Sequence, residues 1–78
     1  MTPETVQIED QYITLAQFLK YINIIGSGGE AKLFLADIEV LYNGEIEQRR
    51  GKKLYHGDVI DIPALDLSFV IDADGAVE

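Results

Sequence analysis

The spacing of apolar residues changes once along this chain, and that change limits the folds open to it. Leu15, Phe18, Leu19 and Ile22 recur at i, i+3, i+4 and i+7, and Ala31, Phe34, Leu35 and Ile38 repeat the spacing. Each set makes one apolar stripe along a short helix. From Val40 onward the period drops to two. Val40-Leu41-Tyr42, Val59-Ile60-Asp61-Ile62 and Leu67-Ser68-Phe69-Val70-Ile71 read as strands. Near the start, Val6 and Ile8 alternate with Thr5, Gln7 and Glu9, which predicts a short edge strand preceded by a flexible tail over residues 1–5. The expected fold class is α+β: two short helices packed on a small, mainly antiparallel sheet, with no parallel βαβ unit. Residues 6–78 form a single domain, because 78 residues leave no room for two cores.

Local signals set the boundaries. Thr14-Leu15-Ala16-Gln17 has the capping-box form, and Ile13 before it with Phe18 after it can staple the helix start. This helix is expected to end near Asn23, with Gly26 turning the chain. Ser27-Gly28-Gly29-Glu30 is a second S-x-x-E box and opens the second helix. Asn43-Gly44 lies between Val40-Leu41-Tyr42 and Glu45-Ile46-Glu47, the signature of a hairpin with a type I′ turn. Gln48-Arg49-Arg50-Gly51-Lys52-Lys53 is expected to be a loop and Gly57-Asp58 a turn. Pro63 stops strand pairing, and Asp72-Ala73-Asp74-Gly75 ends the last strand.

Several function classes drop out on composition. The chain has no Cys, so it has no disulfide framework, thiolate metal site or Cys nucleophile. A lone His56 cannot build a zinc site, and its place in a turn beside Tyr55 and Asp58 marks it as a surface residue. The many Asp residues do not follow a calcium-loop spacing, and no nucleophile elbow, P-loop or H-E-x-x-H is present. No enzyme activity, metal or small-molecule cofactor is expected. No apolar run approaches a membrane span, and Met1-Thr2-Pro3-Glu4-Thr5 is unlike a signal peptide, so a cytoplasmic location is expected.

Taken at face value, the formal net charge of −8 argues against a polyanionic partner. That figure is an average over unlike segments. Residues 1–10 and 11–48 carry −3 each, residues 57–78 carry −6, and residues 49–56 carry +4 with no acid. Four of the six cations stand within residues 49–53. Acids on the far side of a small domain lie beyond the Debye length of about 8 Å, so a phosphate at this loop meets Arg49, Arg50, Lys52 and Lys53 first. Gly51 permits close approach of the backbone. The competing outcome is a solubilising loop that pairs with Glu45 and Glu47. The start of the second helix offers another anion site, with Gly28 and Gly29 at its first positions and Lys32 one turn on, unless Glu30 folds back onto those donors. Leu33 points off the apolar stripe and is either covered by the first strand, a partner contact or simply exposed.

Taken in order, these residues resemble the RNA-binding domain named after ribosomal protein S-four, the alpha-L motif. The likeness rests on Ala31-Lys32 in the second helix, on Val40-Leu41-Tyr42-Asn43-Gly44 and on Gly57-Asp58-Val59-Ile60. The closer likeness is to small stand-alone bacterial members, the YaaA-like and YbcJ-like proteins. It is carried by Ile13-Thr14-Leu15, Gln17-Phe18-Leu19-Lys20, Ser27-Gly28-Gly29 and Gln48-Arg49-Arg50-Gly51-Lys52-Lys53-Leu54. The resemblance implies two helices followed by a hairpin and further strands. It also implies binding of structured or ribosomal RNA around the second helix and the basic loop. The alternative is a protein-interaction module whose acidic surface docks a basic partner such as a ribosomal protein. Charge reversal at both Arg49 and Arg50 is expected to abolish RNA retention without unfolding the domain.

Overall fold

The two helical stripes and the alternating runs all become regular elements, but the sheet is assembled from more pieces than periodicity alone marks. The computed structural model describes residues 3–73. In chain order the elements are β1 (Glu4–Gln7), β2 (Tyr12–Thr14), α1 (Leu15–Tyr21), α2 (Gly28–Asp37), β3 (Leu41–Tyr42), β4 (Glu45–Ile46), β5 (Lys53–Tyr55), β6 (Val59–Ile62), a 3-10 turn (Pro63–Leu65) and β7 (Leu67–Asp72). Five strands form one sheet in the order β1-β7-β6-β3-β4, and β2 pairs with β5 in a separate two-stranded ribbon. All pairings are antiparallel except β1 with β7, which is parallel. The fold is α+β with a mainly antiparallel sheet, as the change of period implies.

One face of the large sheet and the inner side of the ribbon close on the helices. Leu15, Phe18 and Leu19 of α1 and Ala31 and Leu35 of α2 are buried with Val6, Ile60, Ile62, Phe69, Ile71 and Leu54. The ring of Phe18 meets Phe69 edge-on, centroids 5.4 Å apart, and so seats α1 on β7. Phe34 and Ile38 complete the α2 stripe as partly buried residues packed against this core. Leu33 is 70% exposed and is not covered by β1.

Four expectations are corrected. The strand at the N-terminus begins at Glu4, inside the stretch assigned to the tail, because β1 pairs with β7 from Glu4↔Phe69 onward. The turn after α1 is made by Asn23, which adopts φ 63°, and not by Gly26. Asn tolerates this left-handed conformation through local hydrogen bonding of its side chain. Lys53 is not in a loop but opens β5. The Ser27 side chain makes no cap bond. Instead Glu30 turns back, its Oε2 accepting from the Gly26 N–H (2.9 Å) and the Ser27 hydroxyl (3.4 Å). A Cβ at position 26 would stand 3.0 Å from that oxygen, so glycine there makes room for the carboxylate. Asp74 and Gly75 lie outside the described residues.

The Asn43-Gly44 hairpin forms with both residues at positive φ, 48° and 91°, as a type I′ turn requires. It is locked to the Gly57-Asp58 turn. Asn43 Nδ2 donates to Asp58 Oδ1 (3.3 Å), the Tyr42 hydroxyl to Asp58 Oδ2 (2.9 Å) and the Tyr55 N–H to the same oxygen (2.8 Å). Asn43 Oδ1 accepts from the Val59 N–H at 2.8 Å. Burial first, and then the bond to Asp58, push the Tyr42 hydroxyl above its ordinary pKa. One carboxylate thus joins β3, the hairpin turn and β5. Hydrogen bonds to a charged acceptor contribute about 1.5–3 kcal/mol each when buried, less when partly exposed. Asp58→Ala should therefore cost about 2–3 kcal/mol. In a domain of this size that lowers the thermal midpoint by roughly 10–20 °C, read by circular dichroism. A loss of only a few degrees would show that the turn is held by its backbone alone.

Candidate nucleic-acid interface

The basic run lies between β4 and β5, and its backbone is anchored at both ends. At its start, the Glu47 N–H donates to the Val40 carbonyl (2.9 Å). At its end, β5 pairs with β2 through Tyr12↔Tyr55, Ile13↔Leu54 and Thr14↔Lys53, and Leu54 is fully buried. Between these anchors the loop meets the N-terminus of α1. The Leu15 N–H donates to the Lys52 carbonyl (2.8 Å) and the Ala16 N–H to the Arg50 carbonyl (2.9 Å). Thr14 and Gln17 form the expected capping box, Gln17 N–H to Thr14 Oγ1 at 3.3 Å and Thr14 N–H to Gln17 Oε1 at 3.0 Å. Side chain and loop together satisfy donors that a helix start otherwise leaves open. The loop is therefore held in one conformation by the helix it caps.

The side chains divide by role. Arg49 faces Glu47: Nε donates to Oε2 (2.9 Å) and Nη2 to Oε1 (3.0 Å), while the Arg49 N–H also reaches Oε2 (3.0 Å). Glu47 is 8% exposed, so this two-point pair neutralises a buried carboxylate. Reversal of Arg49 would set an acid against Glu47 and disturb the loop anchor. The double reversal of Arg49 and Arg50 is thus not the neutral test that sequence reasoning expects, and Arg50 is the better target. Arg50 and Gly51 are exposed, and an added Cβ at Gly51 would meet nothing within 4 Å. Lys52 Nζ sits 4.6 Å over the Tyr42 ring and Lys53 Nζ 4.8 Å over the Tyr12 ring. Each ammonium is steadied on an aromatic face.

Gly28, Gly29 and Lys32 lie on a different element. All three are exposed at the start of α2, and a Cβ at Gly28 would meet nothing within 4 Å. Among the described residues no hydrogen bond or ion pair joins them to the basic loop. The Glu30 carboxylate stands at the same helix start, bonded to Gly26 and Ser27, where it already complements the helix dipole. His56 Nδ1 accepts the Ala73 N–H at 3.1 Å and lies 3.6 Å from Asp72 Oδ1. The sequence does not single out Tyr12, and Tyr55 enters it only as a neighbour of His56. Both lie on the outer face of the ribbon, their rings 5.7 Å apart. The strand propensity of Tyr12-Ile13-Thr14 is a signal that could have found β2.

The Arg49 guanidinium, chiefly through its hydrogen bonds, holds the Glu47 carboxyl below the usual carboxylate range. A group whose pKa is lower in the folded state stabilises above its unfolded value, about 4.3 for Glu, and loses that contribution as pH falls through the folded value. Glu47→Gln should therefore be less stable than the parent at pH 7. The gap should close as pH drops below about 4.3 in urea unfolding. A gap that persists unchanged at pH 3 would show that the charge of Glu47 is not what matters.

Comparison with known proteins places the chain in a family. The family model described as "S4 domain" matches residues 6–70. A Bacillus subtilis (strain 168) protein named "Probable ribosome maturation protein RlbA" is 54% identical over 57 residues, covering 73% of this chain and 80% of that protein. Its match spans most of both chains, and the family model reaches from β1 to β7. With a capped α1, a glycine-opened α2, the Asn43 hairpin and the Gly57-Asp58 turn in one unit, this chain belongs to the S4 domain family.

Proposed function

We propose that this protein is a non-catalytic, cytoplasmic RNA-binding module that grips structured or ribosomal RNA by its phosphates. Arg50, Lys52 and Lys53 make the main contacts, and Arg49 orients the loop through Glu47. Gly51 lets the phosphate backbone come close, and Lys32 with the backbone of Gly28 and Gly29 adds contacts from α2. The observation that carries this function is the pinned loop. Helix N–H groups bind the carbonyls of Arg50 and Lys52, so the cations project from a fixed backbone and lose little freedom on binding. The nearest buried acid is already neutralised from within. A relative whose name refers to ribosome maturation supports a ribosome-related RNA as the ligand.

With Arg49 committed to Glu47, four of the five cations proposed as contacts remain: Arg50, Lys52, Lys53 and Lys32. About four phosphate contacts give a slope of log affinity against log salt near −2.8 to −3.6, shallower than the value of about −3.5 to −4.5 for five. Arg50→Glu with Lys53→Glu should leave the thermal midpoint within a few degrees. Retention of transcribed ribosomal RNA fragments on filters at low salt should fall more than about tenfold. A folded double variant that retains the RNA as tightly as the parent would place the site elsewhere.

One feature favours a basic protein segment as partner instead. Glu9, Asp10 and Asp72 line an open groove with Tyr12, Tyr21 and Lys20 between the first strands and α1. Absence of RNA binding by the parent even at low salt would decide for that partner.

A further inference from the structure

The outer face of the β2–β5 ribbon carries Tyr12, Lys53 and Tyr55, while Ile13 and Leu54 turn inward to the core. Leu54 is fully buried, so the packing of β5 is supplied by its inward residue. The two tyrosines remain 40% and 47% exposed. Their ring planes are inclined at 50°, so they touch without covering each other's faces. Their hydroxyls are also unlike those of the other tyrosines. Tyr42 and Tyr21 donate within the protein, to Asp58 Oδ2 (2.9 Å) and the Gln7 carbonyl (3.2 Å). Among the described residues no intramolecular bond is made by the hydroxyl of Tyr12 or Tyr55. Lys53 lies diagonally across the ribbon from Tyr12, and its ammonium rests 4.8 Å from that ring's centre.

Partly exposed aromatic rings, one of them with a cation over one face, suit a flat π-system attached to an anion. We propose that Tyr12 and Tyr55 form a stacking platform for an unpaired nucleobase of the bound RNA, with Lys53 at the adjoining phosphate. This rests on the RNA-binding function proposed above and specifies its ligand: the base is extruded or single-stranded, because a base within a duplex offers no free face. Charge sets the direction of the strand. Glu9 and Asp10 precede Tyr12 and repel phosphate on that flank, whereas Arg50 and Lys52 continue the cationic surface beyond Lys53. The nucleotide chain therefore runs from the platform toward the basic loop.

The test uses the full chain and two RNA probes of equal length: a hairpin with an unpaired adenine-rich loop, and a fully paired duplex. The parent should prefer the hairpin. The Tyr12→Leu/Tyr55→Leu double variant should lose at least about fivefold in hairpin affinity, with duplex binding and the salt slope unchanged. Tyr12→Phe/Tyr55→Phe should keep the preference, since the π-faces remain. With 2-aminopurine as the unpaired base, the parent should quench its fluorescence on binding and the Leu variant should not. Equal affinity of the parent for both probes, retained preference in the folded Leu variant, or loss of it in the Phe variant would each overturn the platform. Loss of all binding in the charge-neutral Leu variant would do so too. Failure of the parent to bind either probe at low salt overturns the RNA-binding function itself, a separate outcome.

Discussion

The carboxylate of Asp58 is the constraint on which much of this molecule depends. It receives the Tyr42 hydroxyl, the Asn43 amide and the Tyr55 N–H, and so holds β3, the hairpin turn and β5 at one point. Its backbone continues the tie, because the Ile71 N–H donates to the Asp58 carbonyl at 2.9 Å. The strands involved are short: β3 has two residues and β5 has three. Strands of that length are weak by themselves and need side-chain bonds and packing to keep their register. With β5 placed, β2 pairs onto it, and the start of α1 is brought against the basic loop.

That chain of dependence explains how a protein of net charge −8 keeps a usable cationic surface. A loop of like charges tends to spread and wander. Here the carbonyls of Arg50 and Lys52 are held by the first N–H groups of α1, and Arg49 is held by a buried Glu47. The acid that stands nearest in sequence is thus spent inside the fold. The molecule measures 37 × 28 × 20 Å, several Debye lengths of about 8 Å along its longest axis. Acids at the far end are therefore largely screened from the loop in physiological salt.

The same geometry relates the helices to the candidate site. α1 does not present its N-terminus to a ligand, because the loop and the Thr14–Gln17 box use its donors. α2 presents Gly28, Gly29 and Lys32 to solvent, but with the Glu30 carboxylate folded back beside them. The two helices therefore act differently: one supports the cationic loop, and the other offers a smaller and more guarded surface. Phe18 against Phe69 sets the position of α1 over the sheet.

Much of this was legible in the sequence because the signals were local. The switch of period near Val40 determined the α+β class. Asn43-Gly44 determined the hairpin, since few residue pairs accept positive φ twice. Thr14 with Gln17 determined a helix start, and the acid-free run from Arg49 to Lys53 marked the cationic segment. What the sequence could not show were contacts between distant segments. The pairing of Tyr12–Thr14 with Lys53–Tyr55 joins residues about forty positions apart, and neither run is long enough to display a period. The parallel contact of β1 with β7 links opposite ends of the chain. The sequence offered Glu45 and Glu47 alike as partners for the basic loop, and the fold chose Glu47 by burying it beside Arg49. Local hydrogen bonding and alternation act over a few residues and can be read along the chain. Burial and long-range pairing come into being only when the chain closes on itself, and they decided which cations remain free and which aromatic rings stand beside them.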